Sequence, residues 1–131
     1  MWLLTGDSIA VGLGSQLHPD ALIATVGQGS GRGAALIRKA PQRRVVVSLG
    51  ANDSDRDGRF RARVASVLRG RDCVVWLAIP EHPRLNRILT GVTDSRLHVV
   101  RTHVPRSDGI HPTAAGYKSL AFSVRRALAD C

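Results

Sequence analysis

The sequence predicts an α/β fold, a three-layer α/β/α sandwich around a five-stranded parallel sheet. Three observations carry this expectation. Short continuous apolar runs recur along the chain, rich in Val, Ile or Leu and bounded by Gly or Pro, as strands buried on both faces require. Segments with apolar residues at helical spacing lie between them. The alternation of strand and helix repeats five times, the pattern of parallel strands joined by right-handed crossovers.

The strands fall at 2–5, 21–26 (ALIATV), 43–50 (RRVVVSLG) and 73–79 (CVVWLAI), with a weaker fifth at 96–104 (RLHVVRTHV). In the helix expected at 57–70, Phe60, Val64, Val67 and Leu68 fall at i, i+4, i+7 and i+8. In that at 113–129, Tyr117, Leu120, Ala121, Val124 and Leu128 share one face, and Pro112-Thr113 marks the entrance. Shorter helices are expected at 9–18, 31–40 and 82–90, the first weakened by Gly12 and Gly14. No repeat, linker or low-complexity tract interrupts the 131 residues, so residues 1–131 are read as one domain.

An apolar fraction of 44% with 22% charged residues suits a soluble globular chain, and at 4% aromatics the core must be aliphatic. Cys73 lies in an apolar run and Cys131 is the last residue, which reads as a buried thiol and a frayed end rather than a disulfide. The opening stretch MWLLTGDSIA lacks a basic region and is interrupted by Asp7, unlike a signal peptide. No run approaches the roughly 18 apolar residues of a membrane span. The default expectation is therefore a cytoplasmic chain.

The net charge is +9, and only Lys39 and Lys118 among the basic residues are lysine. Such a surface attracts polyanions, whether nucleic acid, anionic headgroups or acidic envelope glycans. Scarce aromatics and the lack of a recognition motif set nucleic acid aside. Arg56, Arg59, Arg61, Arg63, Arg69 and Arg71 gather around the helix at 57–70. A solvated helix face is the default reading of that cluster, with an anion-binding surface as the lesser one.

In a parallel sheet, ligands bind outside the carboxyl ends of the strands. After strand one stands Gly6-Asp7-Ser8; after strand two, GQGSGRG (27–33); after strand three, GANDS (50–54); after strand five, PRSDGIHPT (105–113). One edge thus gathers a hydroxyl, a flexible glycine loop, a carboxamide, and an Asp and His three apart. These are the parts of nucleophilic acyl transfer. A serine hydroxyl is a weak nucleophile until an imidazole takes its proton, and the imidazole needs an anion to fix its tautomer. The tetrahedral intermediate needs N–H donors aimed at its oxyanion.

The blocks GDS (6–8), GSG (29–31), GAND (50–53) and DGIH (108–111), in this order, resemble those of the SGNH (GDSL) hydrolase superfamily. The resemblance implies a flavodoxin-like fold with Ser8 as nucleophile, His111 as general base and Asp108 orienting it. It implies an oxyanion hole formed by the Ser8 backbone N–H, the Gly31 backbone N–H and the Asn52 side chain. Gly27, Gly29 and Gly33 compete with Gly31 for that role. No metal or organic cofactor is implied. Brief connections after strands three and four suggest a shallow, open site for a small acyl group.

Each residue also has a plainer reading. Ser8 could cap the following helix, and Asn52 could be a turn residue. Asp7 is read as a structural residue of its turn, and Asp53 as a brace of its loop. His98 and His103, five apart on one strand, would face opposite sides and make a poor metal pair; His18 and His82 look like element ends. The glycine loop does not fit G-x-G-x-x-G, which argues against a dinucleotide. The reading is a serine esterase acting on small acyl esters, acetyl above all, on small molecules, saccharides or cell-envelope polymers. The alternative is a non-catalytic module of the same fold that binds an anionic glycan or other polyanion through its arginine-rich surface.

Overall fold

The computed structural model describes residues 1–101 and 103–131. Its strands are β1 (Trp2–Gly6), β2 (Ala21–Ala24), β3 (Arg44–Ser48), β4 (Cys73–Leu77) and β5 (Leu97–Val100). Its helices are α1 (Ser8–Leu17), α2 (Ser30–Arg38), α3 (Phe60–Leu68), α4 (Pro83–Thr90) and α5 (Ala114–Ala129). All strand pairs are parallel, in the order β2-β1-β3-β4-β5. From β1 the chain steps to β2 on one side, then returns to place β3 on the other. The carboxyl ends of β1 and β3 therefore flank a topological switch point, where a crevice forms.

The apolar runs are continuous because the sheet is covered on both faces. Leu3, Val45, Val47, Val74 and Trp76 pack with residues of α2, α3 and α4, including Ile37, Phe60, Val64 and Leu85. Their neighbours Leu4, Val46, Val75 and Leu77 point the other way, onto Leu13 of α1 and Leu120 and Val124 of α5. Trp76 donates its indole N–H to the Leu49 carbonyl at 3.0 Å and meets Phe60 edge-on, 5.7 Å between ring centres. The indole is fully buried, and this bond satisfies its one donor.

Four strands are shorter than expected: β3 covers 44–48 rather than 43–50, β4 covers 73–77 rather than 73–79, and the two edge strands also stop early. β2 ends at Ala24 and β5 at Val100 because each loses its partner there: Gly6 pairs with Ala24, and Leu77 with Val100. Past Ala24 one bond continues, from the Thr25 N–H to the Gly6 carbonyl at 3.0 Å. His103 lies outside β5 and does not share a strand with His98; Thr102 of the expected strand lies outside the described residues.

The cysteines require a correction. Cys73 is buried, but Cys131 is not a free end: the two form a disulfide with Cα atoms 5.8 Å apart. The last turn of α5 runs back to the amino end of β4, which brings together residues 58 apart in sequence. Cys73, His98 and Cys131 form the cluster of metal-ligating residue types among the described residues, and in it both sulfurs are committed to the disulfide.

The arginine cluster also divides. Arg71 is buried and donates to the carbonyls of Ile37, Ala40 and Gln42, closing the carboxyl end of α2. There its charge faces the negative end of the helix dipole. Arg63 is half-buried and paired with Asp57 at 2.8 Å. Arg56, Arg59, Arg61 and Arg69 are exposed, as a solvated face would have them.

Candidate active site

The turn between β1 and α1 is shaped by close approach. Asp7 N–H donates to the Ser48 carbonyl at 2.9 Å, which draws the chain against β3. Gly6 has φ +140°, and a Cβ there would lie 2.0 Å from the Ser48 oxygen, so only glycine fits. Asp7, not Ser8, is the N-cap of α1. Its Oδ1 accepts from the Ile9 N–H at 3.1 Å and from Ser48 Oγ at 2.9 Å. Burial pushes the Asp7 carboxyl above its ordinary value, against these bonds, and its Oδ2 is buried without a partner. The expectation of a structural role for Asp7 holds.

With Asp7 as cap, Ser8 becomes the first residue of α1. Its backbone N–H then has no acceptor within the helix and sits at the positive end of the helix dipole. Its side chain is free to face the sheet edge.

The imidazole arrives from the far side of the sheet. Residues 105–113 form a tight loop, closed by Ser107 N–H to the His111 carbonyl at 3.0 Å and Thr113 N–H to the Pro105 carbonyl at 2.9 Å. Thr113 is the N-cap of α5 and accepts from the Gly116 N–H at 3.1 Å, so His111 stands directly ahead of that helix. Asp108 Oδ1 accepts from the N–H groups of Ile110 at 3.0 Å and His111 at 2.6 Å. Asp108 Oδ2 lies 2.6 Å from His111 Nδ1, and His111 Nε2 lies 2.8 Å from Ser8 Oγ. These contacts make an unbroken line from carboxylate to imidazole to hydroxyl. The His111 hydrogen bonds hold the Asp108 carboxyl far below the usual carboxylate range, so it stays anionic beside the ring.

The arrangement is open. The side chains of His111 and Asp108 are 44% and 52% exposed, which agrees with the expected shallow site. A cavity of about 370 Å³ lies beside the loop, bordered by Pro80, Glu81, Arg101, Arg106 and Gly109. The connection after β4 is short, but that after β3 spans 49–59 and is longer than expected. Asp55 and Arg84 hold it down: Asp55 Oδ1 accepts from the Arg84 N–H at 3.2 Å, and the Arg84 guanidinium donates to the Asp55 and Asp57 carbonyls.

Asn52 stands on that connection, exposed, and its amide donates to the Gln28 carbonyl at 3.1 Å, across the switch point. Its second N–H remains for another acceptor. Among the competing glycines, Gly33 already donates to the Gly29 carbonyl at 3.0 Å. Gly29 is the N-cap of α2, and Gly31 lies in its first turn, where N–H groups have no helical acceptor. Asp53 braces the loop as expected, receiving the Ser30 N–H at 2.8 Å and the Ser30 hydroxyl. Sequence reasoning passed over the next member of this network, Arg63, which donates to Ser30 Oγ at 3.0 Å. Its spacing from Asp57 and its place in a charge run gave no sign that it turns inward.

The strand order defines a flavodoxin-like α/β domain, in which Ser8 at the switch point meets His111 and Asp108 from the loop after β5. Among solved structures it is similar to the C-terminal catalytic domain of Streptococcus pneumoniae peptidoglycan O-acetyltransferase A (OatA), determined with a methylsulfonyl adduct. The TM-score is 0.74 over 98% of this chain and 92% of that one, at 14% identity, which establishes a shared fold. No protein-family model and no curated protein sequence matches the chain.

Proposed function

We propose that this protein is an SGNH-type serine esterase that cleaves small acyl esters, acetyl above all, carried on saccharides or small molecules. The single observation behind this reading is the line of contacts from Asp108 Oδ2 through His111 to Ser8 Oγ, at 2.6 and 2.8 Å. Ser8 Oγ attacks the ester carbonyl carbon while His111 Nε2 takes its proton. The carbonyl oxygen becomes an oxyanion, received by the N–H groups of Ser8 and Gly31 and by the Asn52 amide. The intermediate collapses, the C–O bond breaks, and His111 protonates the departing alcohol. Water, deprotonated by His111, then attacks acyl-Ser8 and frees the acid. Asp108 keeps the proton of the resting imidazole on Nδ1 and stabilises the imidazolium. The open site suits a small acyl group presented on a larger body.

A second reading is favoured by the shared fold with an O-acetyltransferase domain: a saccharide hydroxyl takes the place of water in the second half. Both readings run through acyl-Ser8. The test is hydrolysis of a chromogenic acetyl ester by the protein and by Ser8→Ala, matched for folding by circular dichroism. Loss of turnover in the variant is expected, as is labelling of Ser8 by a serine-directed phosphonate. Equal rates and no labelling would overturn both readings and leave the non-catalytic glycan-binding module. Adding a saccharide acceptor and weighing acetylated sugar against free acetate separates hydrolysis from transfer.

A further inference from the structure

On the face of the sheet opposite α1 and α5, a groove of about 450 Å³ runs between α2 and α3. Its floor is made of residues with little or no side chain, Gly31 and Ala34 from α2 and Ala62 from α3, so the helices leave space between them. Its rim is Arg38 on one side and Arg59, Arg63 and Arg69 on the other. Arg59 and Arg69 are the two caps of α3, about 15 Å apart at 1.5 Å per residue. No acidic residue lines the groove. Arg63 is paired with Asp57 and Asp53, but among the described residues no carboxylate lies within 4 Å of the Arg38, Arg59 or Arg69 guanidinium. Three exposed arginines thus line a trough on a protein of net charge +9, with Asp57 near Arg59 but no carboxylate in ion-pair contact with any of the three guanidinium groups among the described residues.

We infer that this groove holds a linear anionic polysaccharide, the polymer that carries the ester. Resting on the esterase reading, it names the substrate class as an O-acylated acidic glycan rather than a free small ester. The groove opens at Gly31, in the first turn of α2, next to the Gln28–Gly29 segment that receives the Asn52 amide. Extended past Gly31 and the Arg63 guanidinium beside it, a chain lying along it would come to the edge where Asn52 stands. Guanidinium forks match carboxylate oxygens in pairs, and a polymer with a charge on successive sugars engages several arginines at once. Nucleic acid fits less well, because no aromatic side chain lines the groove for bases to stack on.

The test is fluorescence anisotropy of labelled polygalacturonate, with labelled neutral dextran as control, on the full chain carrying Ser8→Ala. Chemistry plays no part in this measurement, so its result stands or falls apart from the esterase reading. Replacing Arg38, Arg59 and Arg69 together by Gln is expected to weaken polygalacturonate binding about tenfold, the sum of three exposed ion pairs, and to flatten its salt dependence. Each single substitution, at an exposed position that leaves folding intact, is expected to account for about a twofold share. In the catalytically intact chain the triple substitution raises KM for O-acetylated polygalacturonate with kcat retained. A change below twofold, or dextran bound as tightly as polygalacturonate, would overturn the inference. So would a single-stranded oligonucleotide that competes as strongly and with the same arginine dependence, which would make the groove a nucleic-acid surface.

Discussion

Replacing Asp108 by Asn isolates what the anion contributes to the site. Oδ1 accepts two backbone N–H groups and Oδ2 faces His111 Nδ1, so the two oxygens have separable duties. An asparagine keeps the first duty with its carbonyl and reverses the second, because its NH₂ then faces Nδ1. Nδ1 must become an acceptor, the ring proton moves to Nε2, and the imidazole donates to Ser8 where it has to accept. In a buried triad this tautomer error costs about 10⁴ in kcat. Here the Asp108 side chain is 52% exposed and water can screen or bridge the misfit, which places the loss near 10². KM should move little, since Asp108 touches no substrate. The assay is steady-state hydrolysis of a chromogenic acetate, beside urea unfolding of Asp108→Asn and Asp108→Ala. Asn should retain the stability of the loop that Ala loses, while both lose turnover alike. An Asp108→Asn enzyme with a third or more of the original kcat would refute the assignment of Asp108 as the positioning acid.

The pH–rate profile of kcat/KM should show no break near pH 4, the ordinary carboxylate range, because Asp108 is held ionised well below it; a break there would contradict that. Asn52→Ala should lower kcat by about 10² to 10³ with the fold unchanged, as loss of one oxyanion donor does; retention of full kcat in the same assay would remove Asn52 from the site. Arg71→Met should cost about 3 kcal/mol of stability in urea unfolding, since three carbonyls lose a charged donor, with kcat of the folded fraction unaltered.

The sheet was legible because its signals are local. Apolar runs such as VVV at 45–47 and VVW at 74–76 are dense enough to mark buried strands without knowledge of their partners. Ser8, Asp108 and His111 were legible as a group because they stand just past a strand or just ahead of a helix, and topology brings such places to one edge. What was hidden depends on partners distant in sequence. Strand ends depend on where pairing with the neighbour stops, so β2, β3, β4 and β5 were all drawn too long. Arg71 and Arg63 look like any arginine in a charge run until the carbonyl end of α2 and the hydroxyl of Ser30 are known to face them. The path of α5 alone reveals that Cys131 meets Cys73.

That last helix has two attached ends. His111 and its N-cap Thr113 stand at one end of α5; the disulfide to β4 secures the other. By the chain-entropy relation, closing a loop across 58 residues is worth about 4 kcal/mol. That is a large share of the roughly 5–15 kcal/mol that holds a domain together. Thiol buffers of the cytosol keep such bonds open, whereas oxidising compartments preserve them. The helix that carries His111 at its start is therefore at full stiffness only in an oxidising milieu.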